Sequence, residues 1–268
     1  MKERIDKILV DRGLFDSRER AKKNIMAGTV LVNNMVIDKA GFLIDTEAEI
    51  RIKNDAIPYV SRGGLKLEKV MNSLEISLDN KVCMDIGSST GGFTDCMLQN
   101  GAKKVYAVDV GYGQLDWKLR NDSRVKVMER TNIRNVTLEN LEDKIQFFSI
   151  DVSFISLKLV LPKIKELGDD NFECIALIKP QFEVGREEVG KNGVVRDPEK
   201  HLKAIVKCIG HALEIGLHLT GLDYSPIKGP KGNIEFLMLL SNNSENEITD
   251  TNQEAENVVK SAHFKLDK

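Results

Sequence analysis

The sequence has few residues that could form disulfides or bind metals. Among its 268 residues are only four cysteines and four histidines, and no two cysteines stand at the C-x-x-C spacing. The histidines likewise show no metal-ligand spacing. Zinc sites and disulfide frameworks both depend on such spacings. We therefore expect reduced core thiols, as in cytosolic proteins, and no metal.

Long apolar runs and an excess of one charge are also missing. A membrane-spanning helix needs about 20 consecutive apolar residues, and no run approaches that length. The opening MKERIDKILVDRGLF has no apolar core of the kind that a signal peptide requires. We therefore expect a cytoplasmic protein without membrane contact. Because the formal net charge is only −2, a nucleic-acid partner would have to bind local basic patches.

Residues 1–55 are predicted to form a small α+β domain. The stretch RIDKILVDRG places apolar residues on one helical face, and Ser17 is a good N-cap for a second helix, RERAKKNIMA. Three short strand-like stretches follow, and Asn33-Asn34 can supply the left-handed residues of a hairpin turn. The charge of the second helix would by itself indicate only a solvated face.

The order of these elements resembles a known RNA-binding module. The stretch SRERAKKNIMAGTVLVNN resembles the alpha-L motif, first described in a small-subunit ribosomal protein, although Asn34 stands where the family often has glycine. The turn should still form, because asparagine tolerates positive φ. The resemblance implies that basic side chains of this domain face RNA phosphates, a contact that positions a protein without reading sequence. These side chains are Arg4, Arg18, Lys22 and Lys23.

A linker, residues 56–62, is predicted to lead into a larger domain at 63–243. Strand-like apolar runs alternate with helical stretches there. This alternation predicts a parallel, doubly wound α/β sheet, and the last two runs predict an antiparallel strand pair at one edge. The remaining residues, 244–268, are polar and acidic. They are expected to form a flexible tail or a loosely docked helix.

A glycine-rich loop after the first of these strands is a candidate ligand site. It reads DIGSSTGG, with Asp85 ahead of Gly87 and of the pair Gly91 and Gly92. Asp109 ends the next strand, 24 residues after Asp85, where an acid can accept hydrogen bonds from a ribose diol. The glycine spacing is wider than the G-x-G-x-x-G of dinucleotide sites, which disfavours an NAD-dependent oxidoreductase.

This loop and acid resemble those of class I S-adenosylmethionine-dependent methyltransferases. The resemblance implies S-adenosylmethionine as the cofactor. Its amino acid part would lie near the glycine loop, its ribose on the second-strand acid, and its adenine near residues after the third strand. The loop residues are Asp85, Gly87, Ser89, Gly91, Gly92 and Phe93, the ribose acid is Asp109, and the adenine residues are Glu129 and Asn132.

Four charged residues fall at strand ends or in flanking elements of the same domain. They are Lys66, Asp151, Lys179 and Glu235, the last of which interrupts an otherwise apolar strand. Burying a charge is costly unless it is paired, so ion pairs bracing the sheet would explain any one of them. Four such residues on four separate elements favour a catalytic site.

The four charges resemble the K–D–K–E set of FtsJ/RrmJ-type ribose 2′-O-methyltransferases. Together with the N-terminal module, several long motifs resemble the TlyA family, also called haemolysin A, over nearly the whole chain except the acidic tail. The resemblance implies methylation of cytidine ribose 2′-hydroxyls in ribosomal RNA, within ribosomal subunits. The motifs are YVSRGGLKL, DIGSSTGGFTD, IDVSFISL, LIKPQFEVGRE, GVVRDPEKH and SPIKGPKGNIEF.

Lys179 is the expected centre of the reaction, because a 2′-hydroxyl is a weak acid that needs help. The lysine could act as a base, or as a cation that orients the hydroxyl and stabilises the forming alkoxide. Charged loops at 179–201 and 226–232 are expected to flank the site. Basic residues of these loops and of the linker could guide the RNA backbone, namely Arg62, Arg186, Arg196 and Lys228.

Two other functions are compatible with these patterns. A ribosome-binding assembly factor could keep the fold without turnover, although all four charged positions are intact. The haemolysin name suggests a membrane-lysing protein, but neither a signal peptide nor a spanning helix is predicted. We therefore expect the enzyme.

Overall fold

A computed structural model of the chain describes residues 2–33, 35–52 and 57–267, without the side chains of Arg186 and Lys191. The predicted turn residue Asn34 and the first linker residue, Ala56, lie outside these ranges. The chain divides into two compact units, Met1–Arg62 and Gly63–Lys268. Each unit is described by itself.

The first unit combines two helices with short antiparallel strands. Its described elements are β1 (Lys2–Arg4), α1 (Ile5–Asp11), α2 (Arg18–Met26), β2 (Val30–Val32), β3 (Met35–Val36), β4 (Leu43–Asp45) and β5 (Ile50–Ile52). The strands pair as β1–β4 and as β3–β2–β5. Ser17 accepts a hydrogen bond from the Arg20 backbone N–H at 3.3 Å, as expected of the predicted N-cap. The helices bury Leu9 and Ile25 completely, so helices and strands share one apolar core.

The second unit alternates strands and α-helices along the chain. Its described elements are α3 (Gly64–Ser73), β6 (Val82–Ile86), α4 (Gly92–Gln99), β7 (Lys104–Val108), α5 (Trp117–Arg120), β8 (Val125–Met128), β9 (Ile145–Ile150), α6 (Leu161–Leu167), β10 (Gly168–Ile178), α7 (Pro180–Glu183), α8 (Pro198–Glu214), β11 (His218–Tyr224), β12 (Phe236–Ser241) and α9 (Thr251–Leu266). The strands of this described region form one sheet in the order β11–β12–β10–β9–β6–β7–β8. Strands β10, β9, β6, β7 and β8 are parallel, whereas β12 and β11 are antiparallel additions at one edge. The predicted α/β fold class is confirmed.

Buried apolar strands hold this sheet together. All five residues of β6 are buried, as is typical of a central strand covered on both faces. In parallel sheets, the loops that follow the strands gather at the carboxyl edge, where ligands bind. The loops after β6, β7, β8, β9 and β10 therefore meet at one edge, and they carry most of the predicted site residues.

The chain ends in a packed helix. Helix α9 buries Ala255, Val258, Val259 and Ala262 in the same core as the sheet. Their spacing forms one narrow apolar stripe along the helix. None of the described helices is long and apolar enough to cross a bilayer. Of the two alternatives expected for residues 244–268, a flexible tail and a loosely docked helix, the structure has the helix, because this stripe docks an otherwise polar and acidic segment.

Two histidines join α9 to α8. His201 is fully buried, and its Nε2 donates to the Val195 carbonyl oxygen at 3.1 Å. Its Nδ1 is therefore left to accept from His263 Nε2 at 2.9 Å. Burial lowers the pKa of His201 from 6.5 to about 4. The neutral imidazole is the form that holds the two helices together.

We expect acidification from pH 6.5 towards pH 4 to weaken this contact. The unfolded chain takes up a proton at His201 near pH 6.5, whereas burial resists that uptake in the folded protein until about pH 4. The stability contributed by His201 is thus present above pH 6.5 and is lost as the pH falls. In His201→Gln, an amide can replace both hydrogen bonds without titrating. Between pH 6.5 and pH 4, the free energy of unfolding of this variant should therefore fall less than that of the wild type.

Chemical denaturation at several pH values measures this difference. The matched control is His211→Gln, which removes another imidazole from the same helix. Parallel pH dependence of the wild type and His201→Gln would contradict the role assigned to His201.

Candidate active site

Glycines let the loop after β6 pass close to its neighbours. Gly87 has φ +86°, and a Cβ there would lie 2.6 Å from the Asp151 carbonyl oxygen. At Gly91, with φ +92°, a Cβ would lie 2.2 Å from Leu119 Cδ1. Only glycine combines positive φ with such close approach at no steric cost. Gly92 then begins α4, so the chain turns tightly from strand to helix.

Asp85 holds this loop from inside the core. Its carboxyl group accepts hydrogen bonds from the Thr94 backbone N–H and hydroxyl at 2.9 and 2.7 Å, and from the Ser149 hydroxyl at 2.9 Å. Burial raises the pKa of Asp85 to about 6, against the effect of these hydrogen bonds. The side chain was predicted to contact the cofactor, but the structure places it where it ties β6 to α4 and β9.

A cavity of about 470 Å³ opens beside the glycine loop. Its lining includes Gly87, Ser89, Asp109, Asn132, Ile133 and Asp151. Asp109 accepts hydrogen bonds from the backbone N–H groups of Ser89 and Gly111, both at 2.7 Å. The acid after β7 is therefore fixed against the loop, and each of its oxygens keeps a lone pair for a further donor.

The other predicted cofactor residues are not among the described residues that line this cavity. Phe93 is buried within α4, and Gly91 and Gly92 shape the turn. Glu129 accepts a hydrogen bond from Arg120 Nη2 at 2.6 Å. These residues can shape the cavity without touching what it binds.

The structure brings the four predicted catalytic residues together. Lys66 Nζ lies 2.6 Å from Glu235 Oε2 and 3.7 Å from Asp151 Oδ2. Lys179 Nζ lies 2.5 Å from Asp151 Oδ1, and it donates to the Ser153 hydroxyl at 2.9 Å. The side chains form a continuous charged chain in the order Glu235, Lys66, Asp151, Lys179. This charged chain of side chains joins α3 to the ends of β9, β10 and β12.

Burial makes this pairing necessary. Lys66, Lys179 and Glu235 are 7%, 9% and 1% exposed, and a buried charge without a partner is strongly unfavourable. Two ammonium and two carboxylate groups alternate along the charged chain. Ion pairing alone would account for that order. However, Asp151 lines the first cavity, while Lys179 and Glu235 line a second one, so the charged chain reaches both.

The second cavity, of about 340 Å³, shares a wall with the first. Ser153 and Phe154 line both. Phe154 is 90% exposed and has φ +64°, a conformation that is unfavourable for a large side chain. Its ring centroid lies 5.0 Å from that of Phe182. An exposed aromatic face on a strained loop beside Lys179 is suited to stacking a flat group.

Glu183 ties together the two loops that carry Asp151 and Lys179. It is 2% exposed, and it accepts hydrogen bonds from the Ser156 hydroxyl at 2.7 Å and from the Leu157 backbone N–H at 2.8 Å. Glu183 was not among the site residues predicted from the sequence. Its only signal there was a charge close behind Lys179, in the stretch KPQFE.

Asp6 organises two of the predicted RNA-binding arginines in the first unit. Arg4 donates to its carboxylate at 3.0 and 3.1 Å, and Arg18 donates at 2.9 Å. These hydrogen bonds, led by the one from Arg4, lower the pKa of Asp6 to about 2. The two arginine side chains are still half exposed. Their remaining N–H groups can therefore meet an anion.

Two of the predicted RNA-binding lysines have acidic partners. Lys22 lies 3.2 Å from Glu19, and Lys228 lies 3.0 Å from Asp267, just beyond α9. Neither ion pair was predicted from the sequence. Of the remaining predicted RNA-binding residues, Lys23 is partly buried, Arg62 and Arg196 are exposed, and the side chain of Arg186 lies outside the described residues.

The mostly parallel sheet, the glycine turn and the acid after β7 define a class I S-adenosylmethionine-dependent methyltransferase. The chain belongs to the FtsJ-like methyltransferase family, whose model matches residues 59–242. The model of the S4 domain matches residues 3–50. The resemblances inferred from the sequence are therefore confirmed at the level of family.

Curated and solved relatives agree with this assignment. A Mycobacterium tuberculosis protein named 16S/23S rRNA (cytidine-2'-O)-methyltransferase TlyA is 41% identical over 88% of this chain and 89% of its own. Hemolysin A of Brachyspira hyodysenteriae is 46% identical over 87% and 98%. A solved Streptococcus thermophilus structure, for which a hemolysin function has been suggested, superposes with a TM-score of 0.79 at 46% identity and covers 99% and 97%.

The residues of the first cavity fit the family's cofactor, S-adenosylmethionine. Gly87 leaves room for a close approach, because a Cβ there would collide with the Asp151 backbone. The Asp109 carboxylate can accept from ribose hydroxyls. Asn132 and Ile133 offer one polar and one apolar contact to a base. The predicted cofactor therefore agrees with both the family and the cavity.

Replacing Asp109 by asparagine should weaken cofactor binding. The amide keeps one acceptor oxygen, so it cannot serve the two loop N–H groups and a ribose diol together. Losing hydrogen bonds to a charged group costs about 1.5–3 kcal/mol, which predicts a roughly tenfold or larger rise in the dissociation constant. Calorimetric titration with S-adenosylmethionine measures it. Asp122→Asn, at an acid paired with Arg124, is the control, and unchanged affinity in Asp109→Asn would contradict the ribose role.

Replacing Glu183 by glutamine should slow methyl transfer. The amide can accept through one oxygen only, so the loop after Asp151 loses one of its two anchors. Small misplacements of catalytic groups can cost about 100-fold in rate, and we expect a loss of about tenfold or more. Ser156→Ala, which removes one anchor from the other side, should show a similar direction of change.

Single-turnover rates, compared with thermal stability, separate positioning from folding. The control is Glu142→Gln, at an exposed carboxylate paired with Lys104. If the rate of folded Glu183→Gln matches that of the wild type, Glu183 does not position the site.

Proposed function

We propose that this chain transfers the methyl group of S-adenosylmethionine to the ribose 2′-hydroxyl of a cytidine in ribosomal RNA. The observation that carries the proposal is the Lys179–Asp151 pair, at 2.5 Å, where two cavities share a wall. One cavity suits the methyl donor, and the other suits a nucleoside. The name of the Mycobacterium tuberculosis relative supports the choice of cytidine and of the ribose oxygen.

The residues between the cavities can prepare a hydroxyl for methylation. S-adenosylmethionine, when bound, supplies a methyl group on a positively charged sulfur, which is open to in-line attack. Lysine is normally an ammonium at neutral pH, and that form of Lys179 pairs with Asp151 and can donate to the hydroxyl oxygen. It would then orient the oxygen and stabilise its developing negative charge. The hydroxyl proton could pass to neutral Lys179 or, when Lys179 is charged, to Asp151.

Glu235 and Lys66 support this arrangement from the buried side. Glu235 pairs with Lys66, and Lys66 also approaches the oxygen of Asp151 that Lys179 does not contact. Two cations thus hold Asp151 in one orientation at the rim of the cofactor cavity. The aromatic faces of Phe154 and Phe182 would receive the nucleobase, since bases taken out of a stack are held on such side chains.

The first unit would bring the enzyme to its RNA. Its match to the S4 domain and the two half-exposed arginines on Asp6 support contact with phosphates, which positions without specifying sequence. Ribosomal RNA within ribosomal subunits is the proposed partner. The proposal accordingly places the protein in the cytoplasm.

Labelled methyl transfer tests the proposed function. Purified protein is given S-adenosylmethionine with a labelled methyl group and separated unmethylated ribosomal subunits, both intact and as naked RNA. Label should appear in RNA as a nuclease-resistant 2′-O-methyl linkage on cytidine. Lys179→Ala should lose transfer by several orders of magnitude while it retains most of its cofactor affinity, because Lys179 faces the second cavity.

Two further variants sharpen this test. Lys179→Arg keeps the cation but cannot act as a base, so retained transfer would favour the orienting role over the proton acceptor. Lys144→Ala, at an exposed lysine paired with Asp170, controls for the loss of one positive charge. Near-wild-type turnover in Lys179→Ala would contradict the proposed role of Lys179 in methyl transfer.

A further inference from the structure

Gln181 lines the second cavity with a side-chain amide whose oxygen is buried. It lies two residues after Lys179, at the start of α7, and lines the cavity together with Lys179 and Glu235. Its Oε1 is buried and has no hydrogen-bond partner among the residues that the structure describes. A buried acceptor without a donor costs about 1–3 kcal/mol, and native proteins keep few such groups without a reason.

The other buried polar side chains of this wall already have partners. Lys179 binds Asp151 and Ser153, and Glu235 binds Lys66. The Asn233 amide accepts from the Val195 backbone N–H and donates to the Gly193 carbonyl oxygen, both at 2.9 Å. The amide of Gln181 therefore stands out as the group on this wall whose hydrogen-bonding capacity a ligand would complete.

A side-chain amide has a hydrogen-bond acceptor next to a donor, and one edge of cytosine has a donor next to an acceptor. The exocyclic N4 amine of cytosine donates and the adjacent ring N3 accepts, so an amide can bind both at once. Glutamine and asparagine read adenine by the same pairing of an amine with a ring nitrogen. Gln181 lines the same cavity as Lys179 and precedes Phe182, whose ring would receive the base in the proposed function. The base of the nucleoside whose ribose meets Lys179 would therefore lie near this amide.

We propose that Gln181 recognises the target base, accepting from the N4 amine of cytosine through Oε1 and donating to N3 through Nε2. This inference rests on the proposed function. It adds the residue that makes the second cavity selective for a base with that edge. Oε1 is covered in the structure, so the amide must turn as the base enters. The last torsion of glutamine is soft, and the turn relieves an unpaired acceptor.

A cycle of one protein change and one base change tests the proposal. The substrate is an RNA fragment, or a subunit carrying it, that contains the cytidine labelled by the wild-type enzyme. A second version has pyrimidin-2-one ribonucleoside at that position, which lacks the N4 amine and keeps the rest of the edge. Because an amide that pairs with two atoms of a base edge discriminates between bases, the wild type should lose roughly tenfold in kcat/KM on the analogue, which lacks one of those atoms.

Gln181→Leu should lose a similar factor on the cytidine RNA and should show no further loss on the analogue. Gln181→Glu keeps an acceptor for the amine but loses the donor to N3, so it should still distinguish the two RNAs while being slower on both. Gln253→Leu, at an exposed glutamine of α9, is the matched control and should behave like the wild type. S-adenosylmethionine affinity and thermal stability establish that each variant is folded.

The outcomes separate this inference from the function beneath it. If the wild type labels cytidine but Gln181→Leu discriminates between the two RNAs as strongly as the wild type, the Gln181 assignment is overturned and the proposed function stands. If the wild type treats both RNAs alike, the amine is not read and the assignment again falls. If the wild type labels no RNA, both are overturned.

Discussion

The buried chain of charges from Glu235 to Lys179 is the interaction on which the rest of the site depends. Neither lysine could lie so far inside the protein without a carboxylate beside it, and the same holds for Glu235, which is 1% exposed. Because each member comes from a different element, the charges can pair only when α3, β9, β10 and β12 are all in place. The need to pair buried charges therefore also brings together the four proposed catalytic groups.

Those parts of the molecule that follow from local chemistry could be predicted from the sequence. Continuous apolar runs separated by helical stretches indicate a parallel sheet, because strands covered on both faces have no polar side. The glycines at 87 and 91 mark a turn that other residues could not make without steric cost. Glu235 could be identified because it interrupts an apolar strand, where a buried charge is costly unless it is paired. The fold and the four charged residues could therefore be predicted from the sequence.

Partners formed across the fold could not be predicted in the same way. Glu183 and Ser156 are 27 residues apart, and nothing in the sequence distinguishes Glu183 from the solvated acids that follow it. Asp85 looks like a ligand-binding acid, yet its carboxyl group faces Thr94 and Ser149 in the core. Only the three-dimensional path of the chain decides which side of a loop an acid lies on. For residues 244–268 the sequence left a flexible tail and a docked helix open, since the apolar stripe of α9 consists of only two alanines and two valines.

The loop after β9 couples the two cavities. Lys179 holds Asp151 and Ser153 at one end of the loop, and Glu183 holds Ser156 at the other. Phe154 lies between these anchors with φ +64°, a strained conformation that persists only where its surroundings fix it. A ligand that moves this loop must change the shape of both cavities, because Ser153 and Phe154 line both. Coupling between two binding sites is reciprocal. If binding of the methyl donor changes the affinity for the acceptor through this loop, binding of the acceptor must change the affinity for the donor by the same factor. Phe154 thus lies between two sets of contacts, one of which, Lys179 with Asp151, belongs to the proposed catalytic charges.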